Sequence, residues 1–199
     1  MDSLLDSLLH LSRVRLETLL TELTDLNEVV AEAVEMVDAR RTEEPTEIVI
    51  PQPPPNIRCD WARYREIFVN LLSNALKYND KPQKRVEVGL IAPSEDHRRP
   101  GFRESVGGLP IYCVKDNGIG IPARHFEQVF KMFKWLHGRD EFGGGTGAGL
   151  TIVQKLVERH HGRVWLKSTP GTETTFCFTL SCRSLTCPGP TAPGDSGHL

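Results

Sequence analysis

The sequence predicts an α+β fold: a two-layer α/β sandwich in which helices cover one face of a mixed sheet, with a further helix at the N-terminus. Three observations predict it. Leucines recur three or four residues apart near the N-terminus, helical and strand-like segments are mixed through the middle of the chain, and two strand-like runs flank Pro170-Gly171. The same pattern divides the chain into a helix at 1–23, a globular domain at 24–181 and a disordered tail at 182–199.

The composition is that of an ordinary globular protein of 199 residues. Its formal net charge is −2 with both signs interspersed, which argues against a nucleic-acid-binding surface. No apolar run approaches the roughly 18 residues of a membrane span, so we expect a cytoplasmic protein without a membrane segment in this chain. The five cysteines are odd in number and include no C-x-x-C pair, which predicts thiols rather than a zinc site or a disulfide framework.

The first predicted helix, at 1–23, carries a leucine stripe that is wide for so short a helix. We therefore expect it to pack on another helix, of this chain or of a second one. A second helix begins near Asp25 or Asn27 and places Val30, Val34 and Val37 on one face.

A long helix is predicted over 61–78, after a short strand at Ile48–Ile50 and a proline-rich break at Pro51–Pro55. Asp60 is a good N-cap, and the stretch from Asn79 to Pro82 stops the helix. The inward face is apolar and consists of Ile67, Phe68, Leu71, Leu72 and Ala75.

The second half of the chain alternates between strands and helices. Strands are predicted at Val86–Ile91, Ile111–Lys115, Arg163–Ser168 and Thr174–Leu180, with a polar surface loop at 93–109. Helices are predicted from Pro122 through Phe126, Val129, Phe130 and Phe133, and from about Ala148 to His160.

Three polar residues share one face of the 61–78 helix, because Asn70, Asn74 and Lys77 are spaced by four and three. An amide oxygen is a hard, neutral ligand that suits Mg²⁺, and an ammonium group nearby can neutralise phosphate charge. Tyr78 follows directly. The alternative is an ordinary helix whose polar face meets solvent.

A second motif, Asp116-Asn117-Gly118-Ile119-Gly120-Ile121-Pro122, directly follows a predicted strand. Glycines there allow close backbone approach and positive φ, and an aspartate at a strand end can accept a hydrogen bond from an adenine amino group. The alternative is a tight Asn-Gly turn.

A third motif is glycine-rich and leads into a helix: Gly143-Gly-Gly-Thr-Gly-Ala-Gly149-Leu150. Backbone N–H groups at a helix N-terminus suit a phosphate group. It is not a Walker loop, because no Gly-Lys-Ser/Thr follows, and it is not a Rossmann fingerprint. The alternative is a flexible linker.

In this order the three motifs resemble the N, G1 and G2 boxes of the GHKL superfamily, and Phe126–Phe133 is similar to its F box. The residues in and around these motifs most resemble the catalytic domain of sensor histidine kinases of the phytochrome-like and PAS-linked group. The resemblance extends over about residues 20–180. The resemblance implies the Bergerat ATP-binding fold, with ATP and Mg²⁺ as the bound species.

The resemblance also implies roles for individual residues. Asn74 would be the Mg²⁺ ligand, and Asn70 and Lys77 would be catalytic residues near the phosphates. The nucleotide-binding set would be Asn70, Asn74, Lys77, Tyr78, Asp116, Gly118, Gly120, Gly145, Thr146, Gly147, Gly149, Leu150 and Thr175. In that set Asp116 and Tyr78 serve the adenine, Thr175 binds the base through water, and the segment from Gly145 forms the lid hinge and phosphate floor.

Two departures from the family pattern stand out. The hairpin turn carries Glu173 where a second glycine is usual. Residues 1–23 resemble only the second dimerisation helix, and His10 is followed by Leu11 rather than by an acidic residue. The resemblance therefore implies an upstream dimerisation helix with the phosphoacceptor histidine, a homodimer in the full protein and a response regulator as partners.

Position 70 bears on the reaction. ATP-hydrolysing members of the superfamily place a glutamate there to activate water, whereas Asn70 cannot act as a base near neutral pH. We expect Glu66, one turn earlier, to be solvated rather than to act as a base. The first hypothesis is a histidine kinase domain. The alternatives are a nucleotide-binding regulatory fragment without kinase activity, and a GHKL ATPase or serine kinase.

Overall fold

A mixed sheet of five strands forms the centre of the protein. The structure is a computed structural model that describes residues 22–38, 46–51, 57–91, 110–131 and 147–180. The strands in chain order are β1 (Glu22–Thr24), β2 (Thr46–Val49), β3 (Ile57–Cys59), β4 (Lys84–Ile91), β5 (Ile111–Asp116), β6 (Val164–Thr169) and β7 (Glu173–Thr179). The central sheet has the order β2-β4-β5-β7-β6. Its β2–β4 pair is parallel and its other pairs are antiparallel.

Three α-helices occur in the described ranges: α1 (Leu26–Asp38), α2 (Trp61–Lys77) and α3 (Gly149–Arg159). The central helix, α2, packs on both α1 and α3 and contacts β4 and β5. Buried apolar side chains of the helices and of one sheet face form the main core. This arrangement confirms the predicted α+β sandwich with helices on one face of a mixed sheet. No helix in these described ranges is both long and apolar enough to cross a bilayer.

Helix α2 forms as its sequence predicts. The carboxylate of Asp60 accepts a hydrogen bond from the backbone N–H of Arg63 at 3.2 Å and so caps the first turn. All five side chains predicted to face inward are buried. The helix ends where the backbone N–H of Tyr78 donates to the carbonyl of Asn74 at 3.0 Å, directly before Asn79.

The β6–β7 hairpin turns at Pro170-Gly171, as predicted. Gly171 has a φ of +77°, and the N–H of Thr172 donates to the carbonyl of Thr169 at 3.0 Å. Proline followed by a positive-φ glycine is the signature of a type II turn. Glu173, in place of the usual glycine, begins β7 and forms an ion pair with Lys115 at 2.8 Å.

Two parts of the prediction are wrong. Glu22 and Leu23 do not end a helix; they lie in β1, which pairs antiparallel with β3, and neither strand is predicted from the sequence. Three-residue strands are too short to show a period. The predicted helix after Pro122 is a 3₁₀ helix, Ala123–His125, followed by hydrogen-bonded turns up to Lys131.

The β1–β3 pairing joins residues 22 and 23 to β3, which lies within the predicted globular domain. Several predictions lie outside the described residues. They are the main part of the N-terminal helix, the loop at 93–109, Phe133, the glycines at 143–145 with Thr146, and the tail at 182–199.

Candidate nucleotide-binding site

A cleft opens between α2, the loop after β5, the start of α3 and strand β7. The cleft is open to solvent and, with that open space included, has a volume of about 590 Å³. The lining residues are Asn74, Tyr78, Asp116, Ile119, Gly120, Ile121, Val129, Leu150, Thr174 and Phe176. Most of this surface is apolar, with a few polar groups among it, which is the composition of a site for a flat organic ring.

Asp116 is the buried carboxyl group of the cleft, at the end of β5. Its side chain is 6% exposed and accepts hydrogen bonds from the backbone N–H groups of Gly118, at 2.9 Å, and Thr174. Burial is the main cause that raises the pKa of Asp116 to about 7; the two backbone hydrogen bonds lower the pKa, and the charge of Glu173 raises it. Asp116 is therefore a strong acceptor that ionises near neutral pH.

The loop that carries Asp116 is fastened to the segment after α2 by Asn117. The Asn117 side-chain oxygen accepts from Nδ2 of Asn79 and from the backbone N–H of Arg85, both at 2.8 Å. Its own Nδ2 donates to the carbonyl of Gln83 at 3.0 Å. These three bonds use both the oxygen and the nitrogen of the Asn117 amide and tie the loop to the segment between α2 and β4.

Close packing explains both glycines of the loop. A Cβ at Gly118 would lie 2.3 Å from the carbonyl oxygen of Tyr78, to which the N–H of Ile119 donates at 3.1 Å. Gly120 has a φ of +68°, and a Cβ there would lie 2.3 Å from the carbonyl oxygen of Thr169. The loop can thus lie flat between α2 and the β6–β7 hairpin only with glycine at these positions.

The β6–β7 hairpin supports the loop from the other side. The N–H of Gly171 donates to the carbonyl of Ile119 at 2.7 Å, and the N–H of Ile121 donates to Oγ of Ser168 at 2.8 Å. The Ser168 hydroxyl in turn lies 2.9 Å from that of Thr174. Ser168 therefore links the loop to the strand that lines the cleft.

Asn74 on α2 and Tyr78, directly after the helix, line the cleft and are half-buried. The Lys77 ammonium lies 4.9 Å from the centre of the Tyr78 ring. Burial lowers the pKa of Lys77 and raises the pKa of Tyr78, since it disfavours the charged form of each. Asn70 is not a lining residue; its Nδ2 donates to the backbone carbonyl of Glu66 at 2.9 Å.

Helix α3 begins at the cleft. Gly147 has a φ of +67°, which turns the chain into the helix, and no side chain caps the first turn at Ala148. A Cβ at Gly149 would lie 2.8 Å from the side-chain oxygen of Asn70, so α2 and α3 approach closely here. The N-terminal N–H groups and the dipole of an eleven-residue helix favour an anion at this end.

Apart from Thr175, the predicted site residues fall into three groups by position. Asn74, Tyr78, Asp116, Gly120 and Leu150 line the cleft. A second group adjoins it without lining it: Asn70 and Lys77 on α2, Gly118 in the loop, and Gly147 and Gly149 at the start of α3. Gly145 and Thr146 are outside the described residues.

The placement of Thr175 is wrong. Side chains alternate along β7, so Thr174 and Phe176 face the cleft and Thr175 faces the opposite side of the sheet. There it is paired in register with Lys115 and Lys167, both exposed. The threonine at the cleft is Thr174, which is 4% exposed.

Sequence reasoning also missed the apolar walls. Ile119 and Ile121 alternate with the glycines of the second motif, and Val129 lies in the segment similar to the F box. Phe176 completes the wall and packs edge-to-face with Phe130, with ring centres 6.3 Å apart. Membership of these motifs was the only signal available, since apolar residues by themselves indicate core as readily as a site.

These residues fit a magnesium nucleotide. A buried acceptor beside apolar walls suits an adenine ring, and the helix N-terminus without a side-chain cap suits phosphate. The half-buried amide of Asn74 lies in the same cleft and offers an oxygen ligand of the type that Mg²⁺ prefers.

Comparisons with known proteins agree with this geometry. A family model described as histidine kinase-, DNA gyrase B-, and HSP90-like ATPase matches residues 59–184, more than half of the chain. Cyanobacterial phytochrome B of Nostoc sp. is 46% identical to this chain over 180 residues. The aligned part covers 90% of this chain and 22% of the phytochrome. The methanogenesis regulatory histidine kinase FilI of Methanothrix harundinacea is 34% identical over 181 residues. That alignment covers 90% of this chain and 19% of FilI.

The chain thus spans about a fifth of the length of these curated relatives. Among solved structures, full-length ShkA in complex with AMPPNP has the same fold. The TM-score is 0.70 at 24% identity, over 90% of this chain and 36% of ShkA.

Proposed function

Because the chain belongs to the family of histidine kinase-, DNA gyrase B-, and HSP90-like ATPases, we propose that it is the catalytic ATP-binding domain of a two-component sensor histidine kinase. It transfers the γ-phosphate of ATP to a histidine that lies on another segment. The convergence of Asn74, Asp116 and Leu150 on one cleft carries the proposal, since these residues come from three separate motifs. The names of relatives such as FilI support the kinase assignment.

In this proposal the adenine lies between the apolar walls and its amino group donates to the carboxylate of Asp116. Thr174 takes the role first expected of Thr175 and binds the base from β7, through water. The phosphates extend towards the N-terminus of α3, where the glycines at 145, 147 and 149, with Thr146, allow the backbone N–H groups to approach them.

Asn74 supplies the oxygen ligand to Mg²⁺, and Lys77 offsets the negative charge of the phosphates. When bound, Mg²⁺ neutralises charge on the phosphate oxygens during transfer. The amide of Asn70 lies between α2 and the start of α3. Its Nδ2 donates a hydrogen bond to the backbone carbonyl of Glu66, and its oxygen lies next to Gly149. It therefore positions the phosphate-binding end of α3 relative to Asn74.

The chemical step is an in-line displacement. An imidazole nitrogen of the acceptor histidine attacks the γ-phosphorus, the bond to the β–γ bridging oxygen breaks, and ADP leaves. The histidine belongs to an upstream dimerisation helix, and the segment before β1 contributes the second helix of that dimerisation unit. A homodimer and a response regulator complete the proposed system, which works in the cytoplasm, with 182–199 as a disordered tail.

Charge pairing argues against a hydrolase. An ATPase needs a base that activates water, and Asn70 cannot be one. The Glu66 carboxylate lies 3.2 Å from the guanidinium of Arg63, in an ion pair on the helix rather than in the cleft. ATP is therefore held for transfer and is hydrolysed slowly.

The test mixes the full chain with a separate dimerisation helix that carries the acceptor histidine, together with Mg²⁺ and γ-labelled ATP. We expect acid-labile label on the helix, lost when its histidine is changed to glutamine. Label should also be lost with Asn74→Ala but retained with the exposed neighbour Ser73→Ala.

Tight ATP binding without any phosphohistidine would favour a regulatory nucleotide-binding fragment over a kinase. Rapid ATP turnover by the chain alone, abolished by Asn70→Ala, would favour an ATPase.

A further inference from the structure

Two cysteine side chains touch each other on the face of the central sheet that is opposite the cleft. Cys113 in β5 and Cys177 in β7 are direct partners in the antiparallel register. Their sulfur atoms are 2.7 Å apart. Both are present as thiols, with exposures of 6% and 1%. They form a small apolar cluster with Ile111 and Trp165, separate from the main core.

The backbone already has the geometry that a disulfide requires. Directly opposed residues of an antiparallel pair have Cα atoms about 4.5–5.5 Å apart. That separation lies within the roughly 4.4–6.8 Å found across disulfides. The two sulfur atoms need to approach by less than about 1 Å to reach bonding distance.

We propose that Cys113 and Cys177 form an oxidisable dithiol site, at which a peroxide produces a reversible disulfide between β5 and β7. The site shares no residue with the cleft, so the inference does not depend on the nucleotide-binding proposal. Neither cysteine lies in a C-x-x-C motif, and they are 64 positions apart, which is why the sequence does not predict the pair.

The chemistry balances with one molecule of hydrogen peroxide. The Cys113 sulfur, the more exposed of the two, attacks a peroxide oxygen; the O–O bond breaks, water leaves and a sulfenic acid forms. The Cys177 sulfur then displaces the hydroxyl group from that sulfur, and a second water leaves with the Cys177 proton. Two thiols and one peroxide thus give one disulfide and two waters.

The disulfide would stabilise the folded domain. It closes a long loop that contains α3 and the whole β6 strand, and such a loop restricts the unfolded chain strongly. Its Cα atoms are already placed for the bond, so native-state strain should offset little of this effect. We expect the oxidised chain to melt about 5 °C or more above the reduced chain.

The test treats the folded full chain with hydrogen peroxide, alkylates the remaining thiols and digests without reductant. Mass spectrometry should find one dominant linked peptide pair, containing Cys113 and Cys177, with two hydrogen atoms fewer than the separate thiol peptides. Dithiothreitol should restore both thiols and reverse the rise in Tm.

Cys177→Ala should abolish the link and the rise in Tm, whereas Cys59→Ala, at another buried cysteine in β3, should keep both. The wild-type peptide map decides the matter even if Cys177→Ala does not fold. Thiols that survive peroxide, oxidation to sulfinic acid, or links mainly to Cys182 or Cys187 would each overturn the proposal.

Discussion

The carboxylate of Asp116 accepts a hydrogen bond from the backbone N–H of Gly118 at 2.9 Å, inside the same loop that it anchors. This bond favours the ionised form, yet burial dominates and raises the pKa of Asp116 to about 7 from an ordinary value of 3.8. The group that the proposal assigns to adenine recognition is therefore costly to keep charged in the absence of a ligand. Two predictions follow from that cost.

Asp116→Asn should stabilise the ligand-free domain at pH 8 but not at pH 4. The folded state binds the Asp116 proton more tightly than the unfolded state, so the wild-type chain loses stability as pH rises from about 4 to about 7. The free energy of unfolding of the wild-type chain falls by at most about 4 kcal/mol over this range, whereas a neutral asparagine amide at position 116 does not titrate and causes no such fall. Thermal melts of both chains from pH 4 to pH 8 measure the difference. A wild-type advantage at pH 8 would contradict the raised pKa.

Affinity for adenosine should rise as pH increases through 7. An ionised carboxylate makes a stronger hydrogen bond to an amino group than a neutral one, by roughly tenfold in affinity. Adenosine is the suitable probe because it has no phosphate that titrates in this range. Calorimetric titrations between pH 5.5 and pH 8 give the profile, and Asp116→Asn should bind weakly with no such step. A flat wild-type profile would exclude Asp116 as the acceptor.

Asn74→Ala should abolish Mg²⁺-dependent ATP binding and leave the fold intact. Its half-buried side chain faces the cleft rather than the core, so its removal creates no cavity. Calorimetry with and without Mg²⁺ should show wild-type binding for the control, Ser73→Ala. A large fall in the Tm of ligand-free Asn74→Ala would mean that the residue is structural instead.

Leu72→Ala should destabilise the domain by about 2–5 kcal/mol, because Leu72 lies on the inward face of α2 and is fully buried in the core of the domain. The matched control is Leu23→Ala, at a leucine that is 69% exposed, and should change the free energy of unfolding by less than about 0.5 kcal/mol. Urea denaturation measures both. Equal effects of the two substitutions would contradict the position of α2.

Gly120→Ala should weaken the docking of the loop on the β6–β7 hairpin. Its φ of +68° and the Thr169 carbonyl, 2.3 Å from an added Cβ, leave no room for a methyl group. We expect a loss of about 1–3 kcal/mol in stability and a loss of nucleotide binding. Gly89→Ala is the control: nothing lies within 4 Å of its Cβ, so it should be neutral or slightly stabilising. Comparable Tm values for the two variants would refute the close approach.

The local elements were predictable where short-range patterns are strong. The spacing of apolar residues and the Asp60 cap specify α2, and Pro170-Gly171 specifies the hairpin turn, because both depend on interactions between near neighbours in sequence. The order of the polar and glycine motifs was enough to predict the nucleotide-binding family as well. The prediction of a helix after Pro122 was wrong. The apolar residues there have helical spacing, but the segment begins with a 3₁₀ helix and places Val129 in the cleft.

By itself, then, the sequence determined most of the longer elements and the three motifs that bear on chemistry. Only the tertiary structure decided which of them meet. A one-residue change in strand register exchanges the faces of a sheet, which is why Thr174 rather than Thr175 reaches the cleft. The pairing of Cys113 with Cys177 likewise depends on two strands distant in sequence becoming neighbours. No local pattern encodes such contacts, because they arise when the whole sheet assembles around its core.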